Sequence, residues 1–350
     1  MNKVVIIIGG GLAGLTAAYL LEKKNICPII LEARDRLGGR IQTIRPDEYK
    51  RVEMGATWLG KQHHSLIEMI RELGLDLEEQ HLGDKAFYEY ISTSPAQLVQ
   101  LPANDDPTWR IKDGSDRLIE ALLEKLTDTK VYTGQRVRKI KKGEKVEVQT
   151  DSQSYLADVV ITTLPPKLLT DRIEFSPALP DKLLQIAGQT HTWMGESIKI
   201  GLFYEEPFWM KPESSGTIMS NVGPVNEMYD HSDSEKNSFA LKGFLNGAYH
   251  SVGREERKRV VLNQLKKYYG DKAEDYTLYQ ETVWQHEPYT YSEYQDPIIP
   301  HQHNGNEIFT QSYWNGKLLL AGAETSPVSP GYMDGAVESA KRVVKQIEEN

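Results

Sequence analysis

Residues 4–14, VVIIIGGGLAG, limit the folds open to this chain more than any other stretch. Val4 to Ile8 are continuously apolar, as in a parallel strand buried on both faces rather than one that alternates between core and water. Gly9, Gly11 and Gly14 follow in G-x-G-x-x-G spacing, and a helix continues from them with Ala17, Ala18, Leu20 and Leu21 for packing. The first glycine permits a tight turn, the second lets a pyrophosphate approach the backbone, and the third lets helix and strand lie close. The helix N-terminus supplies N–H donors for phosphate charge. A second apolar strand, residues 28–31, ends at Glu32, eighteen residues after Gly14 and well placed to bind ribose hydroxyls. Together these features predict a dinucleotide-binding unit.

Buried strands recur at 159–162, stopped by Pro165-Pro166, and at 318–321, followed by a closing helix over 333–347. Ser65 and Glu68 have capping-box spacing for a helix over 65–73 that Gly74 ends. Leu118, Ile119, Leu122, Leu123 and Leu126 share one face of a helix over 115–126. Residues 137–140 and 146–148 read as a hairpin. Residues 80–112, with Pro95, Pro102, Pro107 and an Asn-Asp-Asp cluster at 104–106, read as irregular. At 197–204, Ile198, Ile200, Leu202 and Tyr204 alternate with Ser197, Lys199, Gly201 and Phe203, a strand with a lysine near its middle. Buried strands at both ends with alternating strands between them predict a discontinuous domain interrupted by a second one.

A chain of 350 residues has room for two or three domains. A net charge of −9 disfavours nucleic acid and mildly attracts cationic ligands. No apolar run reaches the ~18 residues of a membrane span, and the N-terminal run is short for a signal peptide, so neither membrane nor export is expected. Cys27 is the one cysteine, which rules out an internal disulfide and a cysteine metal cluster. A cytoplasmic location and no metal are the expectations.

Glu32-Ala33-Arg34-Asp35-Arg36-Leu37-Gly38-Gly39-Arg40 resembles the flavin signature of the amine oxidase superfamily. The likeness continues at Met54-Gly55-Ala56-Thr57-Trp58-Leu59-Gly60, at 320–325 and at 331–339, in the family's order. The resemblance implies an α/β fold: a GR2-type, Rossmann-like FAD-binding domain of residues 1–79, 113–188 and 287–350, with a discontinuous α+β substrate domain of residues 80–112 and 189–286. It places FAD against Gly9, Gly11, Leu12, Ala13, Gly14, Glu32, Ala33, Arg34, Gly38, Gly39 and Arg40. Gly55, Ala56, Thr57, Trp58, Val137, Trp284, Gly322, Glu324, Met333 and Ala336 complete that set. In the family a helix N-terminus near Met333 faces the flavin and stabilises negative charge on the ring. A strand lysine before a Pro-Phe-Trp segment holds a water beside it, and Lys199, before Pro207-Phe208-Trp209, matches. Gly201 is expected to leave space there. Relatives also stand two aromatic rings before the flavin. Tyr332 matches one, and Tyr294, ten residues after Trp284, matches the other, with Tyr291 as the alternative.

The implied reaction is oxidation of an amine, hydride passing to flavin N5 and oxygen yielding peroxide. Rival readings are a related flavin desaturase or porphyrinogen-type oxidase, and a flavin-binding protein with a degenerate site. Glu293 stands where covalent relatives have cysteine, so non-covalent FAD is expected. Residues 80–112 are much shorter than the family's helical region. The flavin is therefore either more open to solvent or covered by a second subunit of a homo-oligomer.

Overall fold

The strand Val5–Ile8 lies between Ile29–Leu31 and Val159–Thr162, all parallel, in a six-stranded sheet. Lys130–Tyr132 and Leu318–Leu320 extend it on either side, and Ser312–Tyr313 closes it antiparallel. Its apolar run is continuous because both faces are covered. Val5 and Ile7 pack into a core with the helices Leu12–Glu22, His64–Glu72, Asp116–Lys125 and Met333–Glu348. Ile6 and Ile8 pack with Val137, Ile140, Val146 and Val148 of a four-stranded sheet and with Leu169 and Leu183 of two short helices. This computed structural model describes residues 3–103, 105–235 and 237–349. Met1 and Asn2 of the N-terminal run and Asn104 of the acidic cluster lie outside them.

A seven-stranded sheet runs in the order Tyr276–Val283, Ile198–Tyr204, Phe239–Leu245, Val225–Asp230, Ile218–Ser220, Lys85–Glu89 and Gln97–Gln100. The stretch 80–112 is thus not irregular. Two of its strands extend this sheet, and Trp109–Ile111 pairs with Trp58–Leu59 and Leu77–Glu79. Its prolines, at 95, 102 and 107, fall between these strands, where no ladder hydrogen bond is lost.

The strand Ile198–Tyr204 is buried along its whole length. Ile198, Ile200 and Leu202 meet the helix Arg254–Tyr269 through Val261 and Leu265, whereas Phe203 turns to Val52 and Met54. Gly201 makes room for those two side chains rather than for a ligand: a Cβ there would lie 2.7 Å from Val52 and 3.1 Å from Met54. The expected capping box does not form either. His63 precedes the helix His64–Glu72 without a side-chain cap, and Ser65 instead bonds Glu338 and Lys341 of the closing helix.

Candidate active site

One long cavity of about 860 Å³ begins at the C-terminal end of Val5–Ile8 and runs to the inner face of the seven-stranded sheet. Gly9 has φ +108°, the turn that reverses the chain into the helix Leu12–Glu22. Gly14 lies where a Cβ would come 2.0 Å from the carbonyl oxygen of Gly9, so this glycine packs helix on strand and does not itself line the cavity. Gly11 differs. The nearest protein atom to a Cβ there is 3.7 Å away, an ordinary contact, so the protein itself does not require this glycine. The following helix has no side-chain N-cap and no acid in its first turn, and Leu12 and Ala13 line the cavity. Its first N–H groups are left for an anion.

Glu32 is buried, accepting from the backbone N–H of Gly10 at 2.7 Å and of Arg34 at 2.8 Å. A carboxylate has about four acceptor positions, so two such bonds fix its orientation and leave capacity for hydroxyls. Ala33, Gly38, Gly39, Val137, Gly322, Met333 and Ala336 all line the cavity. Arg34 lines it too while its guanidinium reaches Glu287 at 3.0 Å and Thr290 at 2.8 Å. Glu324 does not line the cavity. Fully buried, it holds Arg40 through two bonds, 2.5 and 2.7 Å, and accepts from the Trp193 N–H at 3.2 Å. The pair ties three chain segments together around the cavity.

Gly55, Ala56, Thr57 and Trp58 form the wall toward the seven-stranded sheet. Trp284, also in the wall, donates its indole N–H to the Met54 carbonyl at 2.8 Å. Lys199 lines the same end, donates to the Gly55 carbonyl oxygen, and lies 5.0 Å from the centre of the Phe244 ring. Burial lowers its pKa to about 8, against the pull of the Glu53 carboxylate. Sequence reasoning missed a second lysine. Lys242 is completely buried, donates to the Thr57 hydroxyl and sits 4.3 Å over Trp58. Burial, with Lys199 beside it, pushes its pKa far down, and its hydrogen bond to Thr57 braces the 57–58 wall. No signal marked it, because a lysine in a strand ordinarily points to water.

Tyr332 lines the cavity at the start of the helix Met333–Glu348. Its ring stacks on His301 at 5.7 Å, and His63 and Trp193 lie 5.6 and 5.8 Å away. Tyr294 is not the opposite wall. Its hydroxyl donates to Thr190 O at 3.0 Å and accepts from Thr192 N–H at 2.8 Å, which turns the ring away from the cavity and makes it a strut for the segment leading to Trp193. Tyr291, the alternative, meets Tyr294 edge-on at 6.0 Å and is likewise absent from the lining. Ten-residue spacing after Trp284 could not anticipate the turn over Trp284–His286 that brings Pro288, Tyr289 and Thr290 to the wall instead. Trp193, Asn226, Glu227 and Phe244 are further lining residues that sequence reasoning missed. The 225–245 hairpin alternates, but nothing in one sequence says which face meets a ligand.

The family described as flavin containing amine oxidoreductase matches residues 12–104 and 95–348. The chain belongs to the flavin-containing amine oxidase family. It is an FAD-dependent oxidoreductase that deaminates amines oxidatively. It is similar to a probable flavin-containing monoamine oxidase A of Dictyostelium discoideum, 27% identical with 99% of this chain and 97% of the relative covered. Amine oxidase [flavin-containing] B of Sus scrofa is 25% identical, with 98% and 85% covered. A solved putrescine oxidase shares the fold at TM-score 0.86 and 22% identity, with both chains covered in full. The first alignment spans 451 positions for this 350-residue chain, so the relative carries a large extra length internally. The family match breaks and resumes over 95–104, inside the shortened stretch. The uncapped helix, Gly11 and Glu32 fit the FAD diphosphate and ribose. Among the described residues that line the cavity none is cysteine or histidine, so the FAD is held without a covalent tether.

Proposed function

We propose that Lys199 and Tyr332 are the working side chains of this amine oxidase, with oxygen as the acceptor and hydrogen peroxide as the product. The observation that carries the reading is Lys199: a buried ammonium in the cavity wall, held at Gly55 and keeping its proton up to about pH 8. When bound, FAD accepts a hydride equivalent from the carbon bearing the amine. The chain supplies the rest. Lys199 presents a fixed positive charge where oxygen gains electrons, and the low dielectric strengthens it. Tyr332 offers an aromatic face that orients the amine. Trp58, Phe244 and Trp284 keep water from the reacting atoms. The N-terminus of Met333–Glu348 turns its dipole toward the cavity. A neutral amine needs no general base to lose hydride.

The division into an FAD-binding domain (1–79, 113–188, 287–350) and a substrate domain (80–112, 189–286) is part of this proposal. It is supported by the six-stranded sheet drawing on the first set and the seven-stranded sheet on the second. So are a cytoplasmic location off the membrane, consistent with the exposed thiol of Cys27, and self-association through the exposed Tyr90 and Ile91. Among the described residues no helix is long and apolar enough to cross a membrane. Anaerobic mixing with a panel of amines tests the catalytic reading. Bleaching of the flavin is expected, and a bound flavin that no amine bleaches would favour the degenerate-site rival.

A further inference from the structure

We propose that Lys242 is a positioning residue for the reaction of the reduced flavin with oxygen: through Thr57 and Gly55 it loosens the hold of Lys199 on its proton, and this rests on the reading of Lys199 above. In the seven-stranded sheet Lys242 stands opposite Gly201, and Phe244 opposite Lys199. Directly paired residues share a face, as do residues two apart on one strand. Both lysines therefore rise from the inner face as diagonal neighbours, roughly 7 Å apart at Cβ. Lys199 lines the cavity, whereas Lys242 is completely buried and is not part of the lining. Walled off from the cavity, it acts through its neighbours.

Those neighbours form a chain. Lys242 donates to the Thr57 hydroxyl oxygen, the Thr57 hydroxyl donates to the Gly55 carbonyl oxygen at 3.1 Å, and the same oxygen accepts from Lys199. A hydroxyl that accepts a hydrogen bond donates more strongly in turn. Lys242 thus commits the Thr57 hydrogen to Gly55, and an oxygen shared with that donor stabilises the Lys199 ammonium less than an unshared one would. Like charge adds to the effect. After burial itself, Lys199 is the largest cause of the lowered pKa of Lys242. Such coupling is mutual, since a proton on either amine disfavours one on the other.

The other charged groups near Lys199 do not have this effect. Glu53 pulls the opposite way, toward the protonated form. Arg110 is held by Glu78 at 2.7 Å and Arg51 by Asp113 at 3.0 Å. Burial and Arg110 keep His231 uncharged. On the strand Tyr276–Val283, Thr282 stands opposite Lys199 and carries no charge, while Glu281, on the other face, is bonded to Arg257 at 2.5 Å. Glu227, beyond Phe244, accepts from the Tyr229 hydroxyl at 2.9 Å. Among the described residues only Lys242 is coupled to Lys199 both through the Gly55 oxygen and as a group of like sign.

The test is made on the holoenzyme with Lys242→Met, a side chain of similar length that lacks the amine. In protein labelled with carbon-13 at the lysine Cε, the Lys199 signal is the one lost in Lys199→Met, and its chemical shift follows protonation with pH. Lys242→Met should raise the midpoint of that titration by about one pH unit, a roughly tenfold tighter hold on the proton, and the alkaline limit of flavin reoxidation should rise with it. A residue that merely packs would lower stability and leave the midpoint in place. Should the methionine variant not fold, Thr57→Val cuts the same chain and should give the same rise. A Lys199 midpoint that stays or falls overturns the assignment. If the midpoint rises and reoxidation does not follow it, the oxygen reading of Lys199 fails while the coupling of Lys242 to it stands.

Discussion

Lys199 donates a hydrogen bond to the backbone carbonyl of Gly55, joining the inner face of the seven-stranded sheet to the segment that lines the flavin cavity. A carbonyl partner leaves the ammonium charge unneutralised, whereas a carboxylate at that distance would cancel it. Glu53 acts from farther off and only moderates the effect of burial.

The charge is present below the lysine's pKa and lost above it. Burial sets that point at about 8, so reoxidation of the flavin by oxygen should be fast below pH 8 and slow as pH rises through it. Lys199→Met should be slow at every pH, by about 10²-fold, with a flat profile. Anaerobic reduction by substrate should change less. Stopped-flow mixing of reduced enzyme with oxygenated buffer on both sides of that pH reads the difference, and an unaltered rate in the variant would make the lysine structural.

Gly11→Val should fold and lose its colour. Gly11 has φ −81°, which valine accepts, and no protein atom lies closer than 3.7 Å to the added Cβ. What the side chain would meet is the cofactor's diphosphate. Circular dichroism should match the parent while flavin absorbance is absent. Acid or heat should release intact FAD from the parent, since no cysteine or histidine is among the described residues of the wall.

The nucleotide end was legible because its local signals and its tertiary environment agree: Val5–Ile8 is apolar on both faces and is covered on both faces. The closing helix was legible for the same reason, with Val337, Ala340, Val343 and Val344 all in the core. The substrate end was harder to read. Lys85–Glu89 and Gln97–Gln100 are short, half-exposed strands; they pair with each other, and only the distant strand Ile218–Ser220, beside Lys85–Glu89, joins them to the sheet, which no local pattern announces. Lys242, Glu227 and Phe244 gain their places around the cavity from register across strands, which one sequence does not encode locally. Tyr294 had the right spacing and the wrong direction, because Thr190 and Thr192 capture its hydroxyl.

Arg40 and Glu324 offer a separate test of how the cavity is held open. Glu324→Met strands a guanidinium that is three-quarters buried, and breaking such a pair costs about 3 kcal/mol or more. Denaturant midpoints of the holoenzyme should fall accordingly. Arg40→Met in the same chain removes the stranded charge and should recover part of the loss, a coupling that a double-mutant cycle reads directly. Strict additivity of the two changes would show that the pair does not act as a unit.

Tyr332 separates packing from catalysis. Its backbone begins the helix Met333–Glu348 without a side-chain cap, so truncating the ring leaves the helix start intact. The ring is more exposed than buried neighbours such as Met333, and it meets His301, His63 and Trp193. Tyr332→Phe keeps the aromatic face and should retain most activity. Tyr332→Ala removes it and should slow anaerobic flavin reduction by ~10–100-fold, on the order of 1–3 kcal/mol of barrier. FAD content should stay near that of the parent, since the nucleotide is gripped at Gly11 and Glu32, at the far end of the cavity. Because Tyr294 faces away, Tyr294→Phe should act only through the 190–193 segment it braces, and more weakly than Tyr332→Ala. An alanine variant at 332 that loses FAD would make the ring a packing residue, and one that reduces as fast as the parent would remove it from the site.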